Sequence, residues 1–278
     1  MQRWIMRKHS DKYNYKIAQY RHDIPKPKRG EIVLVPSDNR LIEIPPYVAG
    51  SKLPSWWKLL PKEKGSLRFC EGTYDYNNLG IIIPAWSNVT VRPNITGNDF
   101  ETRILPIDDY ADSSSPFTIE DFSAKSASGC PMESMKKIKT GRYLKLVSPW
   151  RYRTPKGISL MALPLLHEPN ENYEVVPGLV HTDFYNQIHI VLNIKTDKEF
   201  TISAGTPLQQ LVPINRNDNT QKIIFGNQSM FRFVRNSGLG DAYIASPNSR
   251  VFYRKKQKDN DAEVLREESK KWNFLRKS

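Results

Sequence analysis

The chain has 278 residues and a formal net charge of +13, with 38% hydrophobic and 26% charged residues. That balance suits a protein with a real hydrophobic core and excludes collagen-like, coiled-coil and disulfide-scaffold classes. No apolar run approaches the roughly 18 residues that cross a bilayer, and Met1–His9 lacks the apolar stretch of a signal peptide, so no membrane partner is expected.

Twenty Pro and fourteen Gly, with 13 Tyr, 11 Phe and 6 Trp, favour strands, turns and loops over a helical bundle. The expected fold class is mainly β. The two cysteines, Cys70 and Cys130, sit in no CxxC or CxxH spacing. They read as reduced thiols in a cytoplasmic setting, with no zinc site and no cofactor.

The positive charge belongs to the ends. Residues 1–30 carry a net charge of +7 and residues 251–278 a net charge of +4, while the 220 residues between carry +2. Aromatics accompany both ends: Trp4, Tyr13, Tyr15 and Tyr20 at the front, Trp272 and Phe274 at the back. Such termini can neutralise phosphates and stack on bases, can lie on an acidic protein, or can simply be solvated.

Along the chain, residues 1–30 read as a basic arm that leaves through Pro25-Lys26-Pro27-Lys28-Arg29-Gly30. A short strand follows at 31–36. In Leu53-Pro54-Ser55-Trp56-Trp57-Lys58-Leu59-Leu60-Pro61 two prolines bracket one apolar turn of helix. Trp56 and Trp57 must dock, as core anchors or as an interface plug. Residues 79–86, ending in Trp86, form an apolar strand, and 89–91 continue in β character. Residues 108–128 are acidic, then Ser-rich, and read as a surface loop. Further strands are expected at 143–147, 158–163, 173–176, 188–194 and 199–203, with more at 222–234 and 243–245. Residues 258–277 are helical, with Val264, Leu265, Trp272 and Leu275 able to share a face and Glu267 opposite Lys271. The domain plan is an arm over 1–30, a β-rich core over 31–250 and a C-terminal helix over 251–278.

Several polar residues invite chemistry. His181-x-Asp183 has the spacing of two ligands of an iron facial triad, but no His follows His189 to complete it. No metal is therefore expected. The plainer reading has Asp183 capping a turn through backbone N–H groups and His181 at a loop surface. Gln210 is expected to hydrogen-bond neighbouring backbone. Arg151 and Arg153 flank Tyr152 near Trp150; they can bind phosphate or carboxylate, or stack on aromatics at a subunit contact.

Residues 177–212 carry a resemblance. Pro177-Gly178-Leu179-Val180-His181-Thr182-Asp183-Phe184-Tyr185-Asn186 leads into a strand ending at Asn193, and Gly205-Thr206-Pro207-Leu208-Gln209-Gln210-Leu211-Val212 follows. This order resembles the deoxyuridine triphosphatase (dUTPase) family at Gly178, Asp183, Phe184, Asn193, Gly205, Gln210 and Leu211. The resemblance implies a dUTPase-like β-clip or sandwich core over about 143–214, in a family whose enzymes are usually homotrimers. It also implies a site around Pro164, His181, Asp183, Phe184, Gly205 and Gln210. There, the family's water-activating Asp is replaced by His181, and its phosphate-gripping Pro-Arg-Ser by Pro164-Leu165-Leu166. Ser237-Gly238-Leu239-Gly240-Asp241 matches its closing arm weakly, and Gly72-Thr73-Tyr74-Asp75 its metal motif faintly. Triphosphate hydrolysis needs phosphate gripping and an activated water together, so the site is expected to be degenerate and the chain not an enzyme.

Blocks at 53–61, 80–86, 148–157 and 205–214 also resemble an uncharacterised family of tailed-phage proteins, many of them marine. That resemblance implies a viral gene expressed in a bacterial cytoplasm. The expected function is a virion-associated structural or accessory protein that assembles as a homo-oligomer, with a trimer favoured. Trp56, Trp57, Trp86, Trp150, Arg151 and Arg153 are its interface candidates, other virion proteins its partners. The alternatives are a module binding a nucleotide or a host regulator through the degenerate cleft, and a residual dUTP or dCTP pyrophosphatase.

Overall fold

A computed structural model describes residues 26–37, 39–93, 100–105, 119–121, 142–166, 168–218 and 247–275. The basic arm before residue 26 and the strands expected at 222–234 and 243–245 lie outside the described residues. So do Cys130 and the 237–241 match. The described residues form two compact units: one drawn from Met1–Lys52 and Leu79–Asn219, the other from Leu53–Asn78 and Thr220–Ser278.

The first unit is mainly β, and all its strand pairs are antiparallel. In chain order the strands are β1 (Val33–Pro36), β2 (Tyr47–Val48), β3 (Ile81–Pro84), β4 (Asn88–Pro93), β5 (Phe100–Leu105), β6 (Ile119–Asp121) and β7 (Arg142–Arg153). Then come β8 (Ile158–Pro164), β9 (Tyr173–Val175), β10 (Gly178–Val180), β11 (Gln187–Ile194), β12 (Phe200–Ile202) and β13 (Pro207–Asn215). One sheet runs β1-β7-β11-β9 with β6 also on β7; a second runs β10-β8-β13-β3-β2; a third runs β12-β4-β5.

These strands form where β-branched and aromatic residues alternate. β11 buries every second residue, Ile188, Ile190, Leu192 and Ile194, in one core shared with Leu144 and Leu146 of β7 and Leu160 of β8. β13 is instead buried without a break from Leu208 to Val212, because both faces of its sheet are covered there.

β7 extends six residues beyond the strand end expected at Val147. It passes through Pro149, which has no N–H to give the ladder. The pairing with β11 is irregular at that point: Gln187 faces Arg151 and His189 faces Val147. The missing donor thus falls in a bulge. Residues 119–121, expected in a surface loop, add a strand to β7, because open ladder beside Leu144–Leu146 accepts it.

Trp86 and Trp150 are each 4% exposed and belong to the core. Their large rings are consumed inside the chain, which corrects their place among interface candidates.

The second unit holds α1 (Ser55–Leu59), α2 (Glu71–Asn77) and α3 (Pro247–Leu275). α1 is the turn bracketed by prolines. Trp57 is buried, meeting Trp56 edge-on at 5.6 Å and Tyr74 at 5.9 Å. Trp57 is therefore an anchor and not a plug, while Trp56 is half-buried. Residues 53–78, assigned by sequence to the β core, group instead with the C-terminal helix. That helix begins at Pro247, eleven residues before the periodic pattern and inside the range assigned to the core. Its early turns are fixed by ion pairs with α2, which local periodicity does not record. Val264 and Leu265 are exposed on it. No described helix is long and apolar enough to cross a membrane.

Candidate functional site

The loop between β10 and β11, residues 181–186, carries the most concentrated polar chemistry of the first unit. Its ends are set by strand pairing: Val180 faces Leu160 on β8, and Gln187 faces Arg151 on β7. Between them the chain turns tightly, with the Phe184 and Tyr185 amides donating to the His181 carbonyl at 3.3 and 2.9 Å. Below the loop, the Thr154 and Thr182 hydroxyls meet at 2.8 Å, and Thr154 also donates to the Ile158 carbonyl at 2.7 Å.

Asp183 is the centre. Arg216, just past the end of β13, donates to its Oδ1 at 2.8 Å through Nη1 and to its Oδ2 at 2.6 Å through Nη2. The Gly157 amide adds a bond to Oδ2 at 2.9 Å. The carboxylate is 8% exposed. Arg216, then the Gly157 amide, hold its pKa well below the usual range, at about 2, against the opposing effect of burial.

The same guanidinium reaches Ser159 Oγ at 2.9 Å, and Ser159 Oγ lies 2.8 Å from His181 Nδ1. A guanidinium only donates, so Ser159 Oγ accepts from Arg216 while it shares a second hydrogen bond with the His181 ring. Arg216 thus ties three segments together: the 155–159 turn, the 181–186 loop and the end of β13, where its own amide donates to the Gly157 carbonyl at 3.0 Å.

Phe184 stands outside this clasp at 75% exposure, beside Tyr185 at 52%. The His181 ring is 5.7 Å from the Phe184 ring and the Arg216 guanidinium 5.9 Å from it.

The expected site residues separate into two groups. His181, Asp183 and Phe184 meet in the loop. Pro164, Gln210 and Gly205 lie toward the other end of the β8–β13 pair. Pro164 closes β8 opposite Gln209, five residues from Ser159, which is about 17 Å along a strand. Gln210 donates to the Leu79 carbonyl at 2.7 Å. Gly205, at φ +84°, turns the chain from β12 into β13, its amide bonded to the Ala85 carbonyl at 2.7 Å. The six residues therefore line no single cleft within the chain. Asp183 caps a turn but takes a guanidinium as well as a backbone N–H, and His181 is half-buried on Ser159 instead of lying free at the surface.

The sequence reading did not single out Arg216, Ser159 or Gly157. The one available signal was an arginine directly after the second apolar strand, in Asn215-Arg216-Asn217-Asp218. Gly72-Thr73-Tyr74-Asp75 lies in α2, where Asp75 pairs with Arg254. Among the described residues no group of three or more His, Cys, Asp or Glu is placed to hold a metal ion.

No family model and no curated protein matches the sequence. A solved structure titled native EIAV dUTPase is similar to 32% of this chain and 74% of its own, with 9% identity and a TM-score of 0.26.

Proposed function

We propose that the chain is a non-catalytic protein with a dUTPase-like β core that works through protein–protein assembly, as a virion-associated structural or accessory component. The carrying observation is that the position matching the family's water-activating carboxylate holds His181, half-buried on Ser159, while the neighbouring carboxylate, Asp183, is sealed. A carboxylate that activates water must be open to it and able to take a proton near neutral pH. Asp183 has both oxygens bonded to Arg216 and one also to Gly157, and it stays ionised to about pH 2. It works as a structural fastener for the loop.

The assembly surface is the edge strand β10. It pairs only with β8 among the described residues, and Leu179 on it is half exposed. An open ladder with an apolar side chain fits a different surface patch of a second copy, a head-to-tail contact that can close as a ring, and the trimer usual in the dUTPase family is the form expected. The phage-like sequence blocks favour a virus particle as the setting.

Light scattering on the full chain tests this, with three times the 32.2 kDa chain mass expected. Leu179→Asp should release monomers that keep the wild-type circular dichroism. No pyrophosphate should appear from dUTP or dCTP with magnesium. A monomeric wild type, or turnover of either nucleotide, overturns the reading.

A further inference from the structure

We propose that the rim formed by Arg151, Arg153, Lys156, Phe184, Tyr185 and Arg216 binds single-stranded nucleic acid, a role separate from the assembly edge. Hydrogen bonds bring the rim together. The Tyr152 amide donates to the Asn186 carbonyl at 2.9 Å and the Thr154 amide to the Thr182 carbonyl at 3.3 Å. The Gly157 amide reaches Asp183 at 2.9 Å. Residues 151–157 therefore run along the flank of the loop that carries Phe184 and Tyr185.

Two exposed aromatic residues, consecutive in the chain, stand on a loop that the Arg216–Asp183 clasp holds in place. A fixed aromatic platform loses little freedom when a base stacks on it. Around it stand four cations. Arg151 and Lys156 are exposed and Arg153 is half-buried. None of these three has a carboxylate partner among the described residues. Arg216 is neutralised by Asp183, and Asp218 is exposed two residues further on.

Arg151 and Arg153 share one face of β7 about 7 Å apart, so that neighbouring phosphates of an extended strand can each meet a guanidinium. A protein partner contacting this rim would need acidic residues at the same spacing and aromatic or apolar ones between them. A single strand supplies both features in every nucleotide. Stacking is sequence-tolerant, so binding to unstructured DNA or RNA of any composition is expected.

The test is fluorescence anisotropy of the full chain with a labelled 20-nucleotide oligothymidylate across a salt series. Phe184→Ala and Tyr185→Ala should each weaken binding about tenfold with no change in salt slope. Arg151→Ala with Arg153→Ala should lower the slope by about 1.4, close to 0.7 per lost phosphate contact. All four side chains are on the surface or half-buried, and an unchanged melting temperature checks the fold. Absence of binding overturns the proposal. So does binding that these variants leave intact, which would place it on the basic termini. Equal competition by polyglutamate, with no effect of the ring substitutions, would also overturn it and assign the rim to an acidic protein. Light scattering of the same variants keeps the two proposals apart, since the mass should not change.

Discussion

Arg216 grips Asp183 with two parallel hydrogen bonds across 33 residues of sequence, from the end of β13 to the loop after β10. Paired guanidinium and carboxylate planes fix orientation as well as distance. One side chain therefore sets the conformation of a loop that carries the exposed Phe184 and Tyr185.

The clasp makes stability depend on acid. Asp183 has a folded pKa of about 2 against an ordinary value of 3.8. A depressed carboxylate pKa adds stability above the ordinary value, and that stability is lost as pH falls toward 2. The contribution is at most about 2 kcal/mol. Asp183→Asn should lower the urea midpoint at pH 7, and the gap to wild type should close between pH 4 and pH 2. A gap that persists at pH 2 would contradict the assignment.

Gly80 approaches the backbone of β13 so closely that a Cβ there would lie 2.0 Å from the Leu211 carbonyl oxygen. Its φ of +73° adds strain for any other residue. Neither obstacle can rotate away, because both belong to the main chain. Gly80→Ala should cost more than about 3 kcal/mol and be visible as a large fall in melting temperature. Gly205→Ala, with a positive φ but open space around it, should cost about 1 kcal/mol.

In the second unit Glu71, 3% exposed, sits between Arg250 Nε at 2.9 Å and Arg254 Nη2 at 2.7 Å. Both guanidiniums also lie over the Tyr74 ring, at 4.0 and 4.9 Å. Removing the buried charge takes one partner from each cation, though Arg254 keeps Asp75, at a cost of about 1–3 kcal/mol. Glu71→Gln should raise amide hydrogen exchange over residues 250–257, with β7 and β11 unaffected.

The Tyr152 hydroxyl is buried against Ser148 Oγ at 3.0 Å, and that oxygen also accepts the Trp150 amide at 3.3 Å. Ser148→Ala strands two polar groups, whereas Tyr152→Phe strands none completely. The first should cost about 2 kcal/mol and the second about 1 kcal/mol. The double variant should cost little more than Ser148→Ala alone, as denaturant midpoints would reveal.

Much of the β architecture is legible residue by residue. The alternation in Gln187–Ile194 and the continuous apolar run Ile81–Ile83 each state their own burial. The clasp is not legible in that way. Asp183 looks like an ordinary turn residue, and Arg216 looks like one of many surface cations. The burial of Trp86 and Trp150 is equally silent in sequence, since a tryptophan beside prolines can face inward or outward.

The amino-acid order alone determined a mainly β chain with a proline-bracketed tryptophan turn and a helix near its C-terminus. Those features follow from interactions between residues a few positions apart. Tertiary structure decided that residues 53–78 join the C-terminal helix, that β7 runs through Pro149, and that Arg216 closes on Asp183. Each depends on groups far apart in the chain, brought within hydrogen-bond reach only when the sheets and helices pack, and no local pattern encodes that meeting.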